Sequence, residues 1–379
     1  MVGKADIVII GAGIIGVSTA YNLVEKGIRN IVIIEKNYPG SGGSFRCATG
    51  IRASFTSKEH VLLMKESVKL WKELSEKHGF FYLRGGYIWL LSTEEQLELF
   101  KKFVEFHNSL GVPTRIISVE EIERLVPTIN TSKLVGGVYD PLAGKADCFK
   151  SLLLLLKYAR DKGVQVYTGT LARKIVVENN QVQGVETDKG FIEAKKVIVT
   201  AGYGSRDLLK TAGVDAPLNN LPKHALVTEK FNERFKPLLV DWSSASYMVQ
   251  TSSGTFLIGA EIEEEYNVKP VNRIEFLYKA AQVWVKYFPW LAEVNVLRYW
   301  TGYYVMTPDH HPILGPIDDV NGLYVATGFS GHGFMMAPIV GKLMAEWIIE
   351  GKPSIPIAEN LELKRFSEGK MIREVAVFG

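Results

Sequence analysis

Asp6-Ile7-Val8-Ile9-Ile10-Gly11-Ala12-Gly13-Ile14-Ile15-Gly16, followed after a helical segment by Ile31-Val32-Ile33-Ile34-Glu35, is the stretch whose reading decides the fold. The apolar run ending at Ile10 reads as a buried strand, and the glycines after it have three separate jobs. Gly11 permits the tight turn, Gly13 lets the backbone approach a pyrophosphate, and Gly16 lets the helix pack on the strand. Glu35 closes the second strand as an acceptor for ribose hydroxyls. A helix N-terminus beside that turn favours an anion, because its first N–H groups and its dipole both point there. A glycine pattern alone is common; strand, glycines, helix, second strand and terminal acid in order make a dinucleotide-binding βαβ unit.

Working outward, 379 residues exceed one ordinary domain, so two domains are expected. Forty-four basic residues against 41 acidic ones give a net charge of +3, with the signs interspersed, which excludes a nucleic-acid stripe or basic tail. The chain enters a core strand at once, without the pattern of a signal peptide. The longest apolar stretches are short or broken by Pro338, Gly341 and Lys342, so no membrane span is expected. The cytosol is the expected location, with peripheral membrane contact left open. Cys47 and Cys148 lack metal-ligand spacing, and no metal is expected. Abundant Lys, Glu and Ile with few Gln and Cys suggest a thermophile.

Further along, Ser57-Lys58-Glu59-His60 opens an amphipathic helix that runs to Gly79. Tyr87 to Leu91 reads as a strand, Thr93-Glu94-Glu95 opens another helix, and Ser118 with Glu121 caps a short one. A helix follows Asp147. Val164 to Tyr167, Ala172 to Glu178, Val182 to Thr187 and Lys196 to Thr200 read as strands, the last running into Ala201-Gly202. Strands at Ala225 to Thr228, Tyr247 to Gln250 and Thr255 to Gly259 precede a helix around Glu275 to Tyr287. The expected fold class is α/β in its first part and α+β overall. It is a Rossmann-like nucleotide-binding domain, residues 1–85, 145–215 and 300–379, with an inserted antiparallel-sheet substrate domain, residues 86–144 and 216–299.

Four further motifs accompany the βαβ unit: Gly40-Ser41-Gly42-Gly43-Ser44-Phe45-Arg46-Cys47-Ala48-Thr49-Gly50-Ile51-Arg52, Thr200-Ala201-Gly202, Gly302-Tyr303-Tyr304-Val305-Met306-Thr307-Pro308-Asp309, and Gly328-Phe329-Ser330-Gly331-His332-Gly333-Phe334. With them the chain resembles the D-amino-acid oxidase superfamily of flavoproteins, in particular the branch of sarcosine oxidase and the β subunits of dye-linked proline dehydrogenases. The resemblance runs over nearly the whole length. It implies FAD, held by Gly11 to Gly16, Glu35 and Lys36, and by the loop residues Ser44, Phe45, Arg46, Cys47, Thr49 and Gly50. Ala172, Thr200, Ala201, Gly202, Gly302, Gly328, Gly331, Gly333 and Phe334 complete the cofactor set, together with His332 and Met335. A helix from Met335 to Glu350, with Pro338 in its first turn, would aim its dipole at the flavin.

The same resemblance implies that Arg52 grips a substrate carboxylate, for which a planar guanidinium is suited. Tyr303 and Tyr304 would line the pocket, His332 would position flavin or substrate, and His224, Tyr247 and Met335 are weaker pocket candidates. Three departures matter. Gly302 stands where single-chain sarcosine oxidases carry the cysteine that bonds to flavin, so noncovalent FAD is expected. Met335 replaces a lysine that helps hold carboxylate, leaving Arg52 in need of help. The strand Thr255 to Glu261 lacks the lysine that promotes reaction with oxygen, which tilts the expectation toward a dehydrogenase of proline or sarcosine-like N-alkyl glycines passing electrons to another acceptor. A peroxide-forming oxidase, and a flavin-carrying subunit of a larger homo- or hetero-oligomeric electron-transfer complex, are the alternatives. A NAD-dependent enzyme is the weakest reading.

Overall fold

The computed structural model describes residues 3–377, and the chain divides into two compact units. The first comprises Met1–Phe45, Cys148–Asn220 and Tyr304–Arg373. Its parallel centre places the strand Gly3–Ile10 between Ile31–Ile34 and Gly190–Val199, with Gln165–Tyr167 outside the former and Leu323–Thr327 outside the latter. Ala172–Glu178 and Gln181–Thr187 continue the sheet as antiparallel strands. Gly3–Ile10 is buried along its last four residues, as a strand covered on both faces must be. The helices Ile14–Glu25 and Gly333–Glu350 approach closely enough that a Cβ on Gly341 would collide with Ser18, so only glycine lets them pack.

The second unit comprises Arg46–Asp147, Leu221–Tyr303 and Glu374–Gly379. Its main sheet runs in the order Val296–Met306, Asn219–Lys230, Thr255–Gly259, Ser246–Gln250, Leu238–Asp241, Tyr87–Leu91, Gly136–Asp140, Arg115–Ile117. From Asn219–Lys230 to Arg115–Ile117 the sheet is antiparallel except that Leu238–Asp241 runs parallel to Tyr87–Leu91. One face packs Ile88, Leu90, Leu239, Met248 and Phe256 against the helix Ile274–Trp284; the other carries Tyr87, Trp89, Leu238, Val240, Tyr247 and Val249. Period-two alternation sorts these two sets.

Three expectations are revised. Residues 46–85, assigned from the sequence to the nucleotide-binding part, lie in the second unit. There a small sheet ties Gly50–Ile51 and Tyr82–Leu83 to Gly144–Ala146. The segment beginning at Glu374 joins that unit too. The last long helix begins at Gly333, not Met335, so Pro338 is its sixth residue and sits in the second turn, where it cannot donate to the Phe334 carbonyl. Two expected boundaries match closely: Lys58–His78 ends on left-handed Gly79, and Ser118 accepts from the Glu121 N–H at 3.3 Å.

Candidate active site

In the first unit the glycine turn is dictated by contact. Gly11 has φ +110°, and a Cβ there would lie 2.5 Å from the Thr200 carbonyl oxygen. A Cβ on Gly16 would lie 2.6 Å from Thr200 Oγ1, so strand end, turn and helix close around Thr200. Thr200 is fixed in return, its N–H and hydroxyl both donating to the Ile10 carbonyl, at 2.9 and 3.0 Å. Ser44 Oγ accepts from the Ile14 N–H at 2.9 Å, at the start of the first helix. The Glu35 carboxylate accepts from the Ala12 N–H at 3.0 Å and the Asn37 N–H at 2.9 Å, which holds an acid at the end of the second strand beside the turn. An acid there and a glycine-lined helix start suit a ribose diol and a pyrophosphate. The donor set therefore fits FAD. Lys36 is less directed: it is exposed, with its ammonium 4.0 Å from the Tyr203 ring.

The turn from Gly328 to Gly333 packs on the end of the strand that carries Tyr304. The Ser330 N–H donates to the Val305 carbonyl at 2.9 Å, and a Cβ on Gly331 would collide with the Tyr304 ring, so the glycine, at φ +93°, lets the tyrosine close against the turn. His332 is buried at the helix N-cap, and Met335 is half-buried one turn in. Asp309 of the Thr-Pro-Asp turn is structural: Arg365 reaches it twice, at 2.8 and 3.0 Å, both side chains being buried. Burial alone would raise the Asp309 carboxyl, but the Arg365 guanidinium holds it below the usual carboxylate range.

In the second unit, Arg46 runs alongside Gly302, where a Cβ would be 3.1 Å from its Cδ, and the Arg46 carbonyl accepts from Trp300 Nε1. Cys47 is half-buried, and Thr49 has φ +61°. His224 lies between Glu264, 2.7 Å from Nε2, and Thr301, 3.0 Å from Nδ1, while the Tyr303 hydroxyl donates to the Val268 carbonyl at 2.9 Å. Both side chains thus hold the segment that follows Thr255–Gly259. Tyr247 packs against Gly259.

Arg52 is 3% exposed. Its guanidinium donates to the Ser54 carbonyl and, at 2.6 Å, to the Ala376 carbonyl, and lies 3.7 Å from the Phe55 ring centre. The next residues are clamped on both sides. Asp140 accepts from the Ala53 and Ser54 N–H groups at 3.2 and 3.1 Å, and Glu374 from those of Thr56 and Ser57 at 3.0 and 2.9 Å. His107 Nε2 is 2.7 Å from the Phe55 carbonyl oxygen, and burial lowers its basicity. A substrate carboxylate on Arg52 would have to compete with two main-chain carbonyls. Sequence reading missed this clamp because Asp140, His107 and Glu374 lie far from Arg52 along the chain.

These features define a flavin-binding oxidoreductase fold. The chain belongs to the DAO family of FAD dependent oxidoreductases, whose sequence profile matches residues 6–347. It is 29% identical to the sarcosine oxidase subunit beta of Rhodobacter capsulatus over 99% of this chain and 92% of that protein. It is 28% identical to the mitochondrial dimethylglycine dehydrogenase of Rattus norvegicus over 94% of this chain, spanning 44% of that longer protein. Among solved structures, L-proline dehydrogenase from P. horikoshii superposes with a TM-score of 0.94, at 35% identity, over 98% of this chain and 100% of that one.

Proposed function

We propose that the protein is a dehydrogenase acting on the C–N bond of a small secondary amino acid, L-proline first and sarcosine-like N-alkyl glycines next. The supporting observation is the likeness, over 98% of the chain, to a protein named L-proline dehydrogenase. Bound noncovalently, FAD would supply the hydride acceptor. What is left to the protein is orientation, exclusion of water and acceptance of the amine in its neutral form. Tyr304, packed on the Gly331 turn, and Tyr247, on the aromatic face of the second unit's sheet, are suited to the exclusion. To Arg52, turned onto its own main chain, we assign the holding of the segment from Ser54 to Ser57.

For the electron acceptor we propose a partner other than oxygen, since the strand Thr255–Gly259 carries no lysine. Relatives named as subunits favour a hetero-oligomer as the route out. Anaerobic titration of the yellow protein tests the reading. L-proline is expected to bleach it, and oxygen uptake should stay slow until an artificial dye is added. If no imino or amino acid bleached the flavin, the substrate class would be wrong; rapid peroxide formation would make it an oxidase. Acid precipitation is expected to leave the colour in the supernatant, and a yellow pellet would show a covalent bond to the chain.

A further inference from the structure

Lys145, in the second unit, has no evident structural purpose. It is central in the small sheet, paired with Gly50 on one side and Leu83 on the other, and is 4% exposed. Among the described residues, no hydrogen bond or ion pair reaches its ammonium. Other buried charges of the second unit have partners: Arg52 donates to carbonyls, Asp140 and Glu374 accept from amides, and Asp241 accepts from Tyr287 at 2.9 Å and Lys286 at 3.1 Å. Burial pushes the Lys145 amine down to about 8, with the Glu233 carboxylate pulling the other way.

The direction of its side chain follows from register. Directly paired residues of an antiparallel ladder point to the same face, so Lys145 shares the face of Gly50. A Cβ on Gly50 would strike the Tyr87 hydroxyl and Leu238. Tyr87 in turn shares a strand face with Trp89, whose ring centre lies 5.1 Å from the Arg52 guanidinium. Lys145 therefore points to the side of Tyr87 and Leu238, members of the cluster that also contains Tyr247.

A lone ammonium with little access to water is costly, and the cost is offset when an anion arrives to pair with it. An amino acid whose amine has lost its proton carries a single negative charge, on its carboxylate, which one lysine neutralises. We propose that Lys145 is the cation that receives the substrate's carboxylate, with Arg52 shaping the loop beside it. This rests on the reading that the substrate is a small amino acid.

The test uses the intact flavoprotein and cyclopentanecarboxylate, which has the size of proline without its nitrogen. Calorimetric titrations at pH 8 in buffers of different ionisation enthalpy report both affinity and proton uptake. Wild type is expected to take up a fraction of a proton, since a carboxylate would draw the amine back to its charged form. Lys145→Met should bind the probe at least tenfold more weakly with no proton uptake, and Lys145→Arg should recover most of the affinity. Thermal melts guard against misfolding: Lys145→Met should melt no lower than wild type without probe, and should lose the rise that the probe gives wild type. Unchanged affinity and proton uptake in Lys145→Met would overturn the proposal. So would loss confined to Arg52→Lys, which would put the carboxylate on the guanidinium, or failure of wild type to bind the probe. Bleaching by L-proline reports separately on the substrate class.

Discussion

Gly11→Ala is expected to give a folded but colourless protein. The methyl group would sit 2.5 Å from the Thr200 carbonyl oxygen and 2.9 Å from its carbon, both backbone atoms. Thr200 cannot retreat, because its N–H and hydroxyl are both committed to Ile10. A φ of +110° adds backbone strain of about 1–3 kcal/mol for a residue with a Cβ. The turn must therefore move, and with it the start of the helix Ile14–Glu25, where a pyrophosphate would lie. Loss of about 3 kcal/mol of FAD affinity, roughly a hundredfold, is expected. The flavin-to-protein absorbance ratio after gel filtration reads it. Gly42→Ala is the control: a Cβ there meets nothing within 4 Å, so the variant should stay yellow. A fully loaded Gly11→Ala protein would mean that the cofactor does not use this turn.

Breaking the Asp309–Arg365 pair is the second large effect. Arg365→Met leaves a buried carboxylate with its main donors gone, and Asp309→Asn leaves a buried guanidinium facing a neutral amide. Removing one partner of such a pair costs about 3–5 kcal/mol. Denaturant unfolding of either variant should show that loss. The pair also predicts a pH dependence. Asp309 has a folded pKa below its unfolded value. Its contribution is therefore full above the unfolded pKa and is lost as pH falls through the folded one. The stability gap between wild type and Asp309→Asn should accordingly be constant near neutrality and shrink in acid. A gap that widened in acid would show that the pair is not what holds the Thr307–Asp309 turn to the segment around Arg365.

Local chemistry made much of the molecule legible in advance. The glycines and Glu35 declared the nucleotide unit because each answers a requirement met within about thirty residues. Thr93 and Ser118 marked helix starts because a cap accepts from an N–H three residues on. The start of the helix Gly333–Glu350 is not legible in the same way, because a glycine turn and a first helical turn look alike in sequence.

The sequence by itself determined that an adenine dinucleotide has a place to bind, where a number of the strands and helices form, and that the chain is a flavoprotein of this family, since those properties rest on short-range patterns and on motifs read in order. Tertiary structure decided where the charges go. It turned Arg52 inward onto Ala376 and Ser54, grouped Asp140, His107 and Glu374 around the same loop, and left Lys145 buried on a three-residue strand with no hydrogen-bond or ion-pair partner among the described residues. Whether a charge is paired depends on groups hundreds of residues away that only chain folding brings within hydrogen-bond reach, and desolvation, which sets the energy of every such charge, does not exist until the core has closed.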